Sequence, residues 1–244
     1  MLKRANERPF GAVPPLLWIA LALCLAAQLA LALQRPPPNV SVATLALPPS
    51  IPALQALALG EPAIAARLMM LWLQAQDYQP GHSISFRELD YAVVEAWLDR
   101  MLVLDPDFDY ALLAASRLYG EVADEPRQRR MLAFVERAFR DSPATRWQPM
   151  AHAVYLAQHR LHDLDLALEL ARGLAAAPAN PAIPNWARQM HIFVLENMGE
   201  LETAKILLGG LLDSGQIVDQ HERHFLSERL RELAQRGTAA AQAE

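Results

Sequence analysis

The chain has 244 residues, is 53% hydrophobic and carries a formal net charge of −5. That length allows one or two domains with a substantial core, and that charge argues against binding nucleic acid through a basic surface. Cys24 is the single cysteine, which excludes an intrachain disulfide and a thiolate metal cluster within one chain, while leaving an oxidising compartment open.

Alanine and leucine dominate and glycine is sparse, a composition that favours helix over strand. Lys3 and Lys205 are the only lysines, and the preference for arginine reads as GC-rich coding, not as a site. Residues 1–12 form a basic N-terminus with Lys3, Arg4 and Arg8 against Glu7. Residues 13–33 (VPPLLWIALALCLAAQLALAL) follow without a charge, and Gln28 is the one strongly polar interruption. At about 1.5 Å per residue this stretch covers a bilayer core of roughly 30 Å. The positive-inside bias puts the N-terminus in the cytoplasm and the rest of the chain on the far side of a bacterial inner membrane, with Trp18 near one interface. A cleaved signal peptide is the alternative, since Ala30-Leu31-Ala32 offers a small-x-small site, but the apolar run exceeds the usual h-region of about 7–15 residues. Lipidation at Cys24 is disfavoured by the large Leu23 before it. Under either main reading the bulk of the chain is exported, to the periplasm.

Residues 34–52 hold Pro36, Pro37, Pro38, Pro48, Pro49 and Pro52. Proline this dense opposes regular helix and predicts an extended linker. A helical domain over 53–236 follows, with helices expected at about 61–77, 88–104, 108–121, 126–141, 147–160, 163–176, 184–198, 200–213 and 219–235. Apolar residues recur there at three- and four-residue spacing, as in Leu98, Met101, Leu102 and Val135, Ala138, Phe139, and proline, glycine and aspartate punctuate the runs. Residues 237–244 read as a flexible tail.

Four segments within this domain end alike: AWLDRMLVLDP, AFVERAFRDSP, LELARGLAAAP and KILLGGLLDSG, closing at Pro106, Pro143, Pro178 and Gly215. The steps are 37, 35 and 37 residues, and a helical period near 35 residues is the signature of stacked helix pairs. Aligned, the segments share a core stripe (Leu98, Val135, Leu170, Leu207 and Leu102, Phe139, Leu174, Leu211) and a mostly small column (Met101, Ala138, Gly173, Gly210). Arg100, Arg137 and Arg172 recur as a solvated face. Trp97–Pro106 resembles the end of a second helix of the tetratricopeptide repeat (TPR) family. Met198-Gly199-Glu200-Leu201-Glu202-Thr203-Ala204 resembles its turn and second-helix start, and His162-Asp163-Leu164-Asp165-Leu166-Ala167 matches that turn more loosely. The resemblance covers about 90–215, with a period one to three residues longer than the roughly 34 of the family. It implies an all-α, TPR-like α-solenoid of about four helix pairs, preceded by one transmembrane helix. Amphipathic 221–236 suits a capping helix that shields the last pair.

No glycine-rich phosphate loop, serine elbow or catalytic cysteine is visible, so no catalytic residue and no cofactor is assigned. His159 with His162 and His221 with His224 have an i, i+3 spacing without a third acidic ligand at helical spacing, and no metal site is assigned. Asp105, Asp107 and Asp109 lack the glycine and distal glutamate of a calcium loop and read as turn formers. Trp147 and Trp186 read as packing anchors between repeats. In TPR proteins the first helix of each pair lines a concave groove, and the resemblance nominates Arg117, Glu121, His152, Leu156, His159, Gln189, Phe193 and Glu196 for that role here. The expected function is a membrane-anchored scaffold binding a protein partner of the membrane or envelope, in assembly, biogenesis or secretion. The alternatives are a permanent accessory subunit of a membrane complex, and an exported helical ligand-binding protein or enzyme whose pocket lies between helices.

Overall fold

A computed structural model describes residues 14–34, 45–58, 60–79, 82–83, 86–215 and 217–243. The basic N-terminus 1–12, most of the proline-rich linker and part of the connection 79–87 lie outside the described residues. The chain divides into two units, Met1–Ala43 with Gln79–Ser83, and Thr44–Tyr78 with Ile84–Glu244.

The first unit contains helix α1, Pro15–Gln34. Its described side chains are exposed and, Gln28 apart, apolar. Pro15–Leu31 is a shorter apolar helical stretch, and no single helix among the described residues is long and apolar enough to cross a membrane. Tyr78–Gln79 and His82–Ser83 pair as a minimal two-stranded hairpin.

The second unit is all-α among its described residues, that hairpin aside. In chain order it holds α2 (Ile51–Leu57), α3 (Pro62–Gln74), α4 (Tyr91–Leu104), α5 (Asp109–Ala114), α6 (Glu125–Asp141), α7 (Pro143–His159), α8 (Leu164–Ala176), α9 (Asn185–Asn197), α10 (Leu201–Asp213) and α11 (Gln220–Ala243). Short polar caps set several starts: Asp90 accepts from the Ala92 amide at 2.8 Å, Asp124 from Arg127 at 3.2 Å and Asp163 from Leu166 at 2.9 Å, each satisfying a donor that the first turn leaves free. Proline opens α2, α3, α6 and α7, where its missing N–H costs nothing.

Three boundaries differ from the sequence reading. Helix α2 begins inside the expected linker, because Pro52 sits in its first turn, where proline is compatible with helix. The indole of Trp97 donates to the Ala46 carbonyl at 2.8 Å, so the end of the linker is fastened to α4. Helix α7 begins at Pro143 instead of 147; Arg146 breaks it with φ −109° and ψ 16°, so the expected start marks a kink. Helix α11 runs through Ala243, past the expected end at 235, because the alanine-rich 239–243 has high helix propensity.

From α2 onward neighbouring helices pack in chain order, with α6 meeting the turn that continues α5, and contacts also join alternate helices: α2 with α4, α4 with α6, α5 with α7, and α7 with α9. The turns repeat as well. His162 (φ 53°) lies between α7 and α8, and Gly199 (φ 83°) lies 37 residues on between α9 and α10. Both are left-handed residues that reverse the chain just before an acidic residue that precedes the next helix.

The core stripe is buried at Leu98, Val135, Leu170, Leu102, Phe139 and Leu174. In the fourth segment it moves: Leu208 is fully buried, while Leu207 is 37% exposed. The small column divides likewise. A Cβ on Gly173 would lie 3.3 Å from the Met150 methyl, a close approach of α8 to α7, whereas one on Gly210 would meet nothing within 4 Å. Gly210 therefore does not mark the tight helix contact that its column suggests. Of the recurrent arginines, Arg137 pairs with Glu95 at 2.7 Å, joining α6 to α4.

Arginine also ties helix to helix. Buried Arg146 donates to the carbonyls of Ala138 (2.9 Å) and Pro106 (3.0 Å), and Arg188 donates to those of Ala177 (2.7 Å) and Pro178 (2.6 Å). Each lies near the start of its own helix and neutralises carbonyls in or just beyond the last turn of an earlier one, where the helix dipole favours a cation.

Candidate functional site

Helices α5, α7 and α9 lie side by side, and their shared outer surface forms an open groove of about 760 Å³. Tyr110, Leu113 and Arg117 supply one wall at three- and four-residue spacing. Trp147, Ala151 and Tyr155 supply the middle at four-residue spacing, and Trp186 and Met190 the far wall. Such spacing keeps each set on one face of its helix. Trp147 and Trp186 meet edge to face, with centroids 5.5 Å apart, so they both join α7 to α9 and line the groove. Trp186 is 52% exposed and Tyr155 48%, so much of this aromatic surface faces solvent.

A π-helical turn, Ala115–Tyr119, continues α5 and carries Arg117. Its signature bond runs from the Gly120 amide to the Ala115 carbonyl at 2.8 Å. A Cβ on Gly120 would lie 2.9 Å from two backbone oxygens and 3.1 Å from Leu156, so the wide turn can close against α7 only with glycine there. Ser116 donates its hydroxyl to the Leu112 carbonyl at 2.9 Å and is thereby committed to its own helix.

The charges comprise a paired carboxylate at the groove edge, Glu121, and two exposed groups on the wall, the Arg117 guanidinium and the Asp109 carboxylate. Glu121 lies 3.0 Å from Arg160 and 3.6 Å from Nε2 of His152. Burial, then the neighbouring Arg117, hold His152 below the usual imidazole range against the opposing pull of Glu121, which favours its neutral form. Arg117 is exposed on the groove wall, and among the described residues no carboxylate forms an ion pair with it. Asp109 marks the opposite end of the same wall. The groove thus offers apolar and aromatic surface, one guanidinium without an ion pair and, at one end, the exposed carboxylate of Asp109. Among the described residues no group of three or more His, Cys, Asp or Glu is disposed to hold a metal ion.

The eight nominated residues separate into three sets. Arg117 and His152 line the groove, and Glu121 braces His152 at its edge. His159 lies one turn further along α7 and packs on Tyr155, with ring centroids 4.6 Å apart. Leu156 is fully buried and belongs to the core, not to a groove. Gln189, Phe193 and Glu196 face α11. Gln189 donates to Glu222 at 2.8 Å, Phe193 packs toward Phe225 at 6.4 Å, and Glu196 accepts from Arg229 and Arg236. Gln189, Phe193 and Glu196 stand 37 residues beyond His152, Leu156 and His159, so α11 covers on α9 the face that α7 turns partly to the groove. Tyr110, Leu113, Trp147, Tyr155, Trp186 and Met190 were not nominated; the signal for them is the i, i+4, i+8 run of Trp147, Ala151 and Tyr155, read in phase with Tyr110 and Leu113.

Comparison with protein families, curated proteins and solved structures finds no match to this chain.

Proposed function

We propose that this protein is a membrane-anchored, exported scaffold of TPR-like helix pairs whose groove across α5, α7 and α9 captures a segment of a partner protein during assembly, biogenesis or secretion of an envelope complex. The observation that carries the reading is the open groove itself: aromatic side chains exposed to solvent beside an arginine without a carboxylate. Exposed aromatics and arginine are the side chains most enriched where interfaces concentrate their binding energy. The dimensions suit an extended or helical segment that sets apolar side chains between Tyr110, Tyr155 and Trp186 and an acidic group against Arg117. Contacts between alternate helices, and the left-handed turns 37 residues apart, support a stacked-pair arrangement. The charge-free stretch 13–33 behind a basic N-terminus supports an anchor with the repeat domain in the periplasm. No reaction is assigned to the protein.

The test is site-specific photocrosslinking of the full chain in its native membrane. A photoreactive residue at Tyr155 is expected to yield a partner adduct, one at exposed Val103 on α4 is expected to yield none, and Arg117→Glu is expected to abolish the adduct at 155. An adduct indifferent to Arg117→Glu, or a chain that crosslinks nothing from position 155, defeats the reading.

A further inference from the structure

Helices α2 and α3 carry a surface that the core does not explain. Between residues 45 and 75 the only charges are Glu61 and Arg67. One face of α3 is committed to the core through Ala65, Ala66, Met69, Met70 and Leu73. The other face is apolar too, with Ile64 54%, Leu68 59% and Trp72 43% exposed, and Leu57 of α2 and Leu47 beside them are more than 70% exposed. These residues border one trough of about 790 Å³. Arg67 apart, α3 is apolar on its outer face as well as its inner one, which signals a second covering partner, and contiguous exposed apolar surface of this kind marks an interaction site.

We infer that this trough is a lipid-docking surface, which seats α2 and α3 in the interfacial layer of the membrane that α1 enters; the inference rests on the anchor reading of α1. Three features select lipid over a protein partner. Ten residues, 35–44, separate α1 from Leu45, so a chain anchored by α1 cannot carry the trough farther than about 40 Å from its exit point. The two helices have 7 and 13 residues and bend by 105° at their junction, and α3 is held by the core along its inner face, so the pair is built to lie on a bilayer and not to cross it. Finally, the exposed set is leucine and isoleucine with a tryptophan at its border, and Trp72 is stacked on Trp97 at 4.5 Å. That composition suits the boundary between headgroups and acyl chains, where an amphipathic ring is favoured.

The experiment uses the full chain reconstituted in vesicles of phosphatidylethanolamine and phosphatidylglycerol, with an environment-sensitive fluorophore on a single cysteine. Native Cys24 reports on α1. Cys24→Ser with Leu68→Cys reports on the trough, and Cys24→Ser with Ile206→Cys reports on exposed α10. Nitroxide carried on the lipid is expected to quench the labels at 24 and 68 and to spare the one at 206, while aqueous iodide does the reverse. Iodide quenching at 68 with lipid quenching at 24 overturns the docking surface and leaves the anchor standing. Shielding of 68 from both quenchers overturns it in favour of a protein cover, either a second copy or a partner. Loss of lipid quenching at both 24 and 68 removes the anchor and the docking surface together.

Discussion

Replacing Glu196 by glutamine isolates the link that holds the terminal helix. The carboxylate is 5% exposed and accepts from Arg229 through two nitrogens, one at 3.0 Å, and from Arg236 at 2.9 Å. Breaking a fully buried ion pair costs about 3–5 kcal/mol, but Arg229 and Arg236 are 29% and 56% exposed, so both cations regain water when the charge is lost. The Arg229 fork, as a charge-assisted pair, contributes about 1.5–2 kcal/mol, and the rim contact with Arg236 no more than about 0.5–1 kcal/mol. Glutamine keeps one acceptor, so Glu196→Gln is expected to cost about 2 kcal/mol, close to a thirtyfold shift in the opening equilibrium. A loss at the contact of the last helix falls first on that terminal helix. Hydrogen exchange along α11 and α9 is therefore the assay: protection is expected to drop by that factor in α11 and in the last turn of α9, with α4 to α6 unchanged. A cycle with Arg229→Met supplies the pairwise term, expected at about 1.5 kcal/mol. A coupling energy below about 0.5 kcal/mol, or a loss of protection spread evenly over the chain, would falsify the claim that this carboxylate fastens α11.

Two further predictions use other parts of the array. A Cβ at Gly209 or Gly210 would meet nothing within 4 Å, so Gly209→Ala and Gly210→Ala are each expected to stabilise α10 by about 0.5–1 kcal/mol through helix propensity alone; thermal unfolding that shows a loss would mean that this face of α10 is covered. His152 and His191 are both held below the usual imidazole range, chiefly by burial, so the folded protein binds fewer protons than the unfolded one. Stability is then complete above the unfolded value of about 6.5 and falls as pH drops below it, and the double variant His152→Gln, His191→Gln should flatten the curve between pH 7 and 5. Asp163 and Asp219 are also held low, by backbone amides first, but their loss comes only below about pH 4; an unchanged slope above pH 5 would exclude the two histidines.

The helices were legible where local chemistry alone decides them. Capping aspartates and proline breaks put nearly every boundary within a few residues, and the left-handed turn at Gly199 was visible from its glycine. The groove was not legible to the same degree, for reasons that lie beyond any one helix. The π-helical turn at 115–119 inserts a phase shift that no three- or four-residue pattern carries, so Glu121 falls behind the groove wall and not on it. Helix α11 covers Gln189, Phe193 and Glu196, residues that repeat arithmetic makes equivalent to His152, Leu156 and His159. Arg146 and Arg188 carry no signal in the sequence, because nothing in the local pattern shows that the carbonyls they bind arrive from earlier helices.

The first and last helices of the second unit present different surfaces. A stack of helix pairs must shield the apolar face of its terminal units, usually with a polar outer surface. Toward the C-terminus α11 does so: Leu226 and Leu233 are buried inward, while Arg229 and Arg236 pair with Glu196 of α9 and Glu232 pairs with Arg229. At the N-terminal end α2 and α3 leave Leu57, Ile64, Leu68 and Trp72 bare. Were that end a simple cap, its outer face would be charged, as that of α11 is through Arg229, Glu232 and Arg236. Leu68→Glu separates the possibilities. If the exposed leucine is an idle surface residue, the variant keeps its membrane association and gains solubility in detergent-free buffer. If the trough rests on lipid, the buried carboxylate costs about 2 kcal/mol or more of interfacial binding, and a label at position 206 stays unaffected while the region around α3 becomes accessible to aqueous quencher.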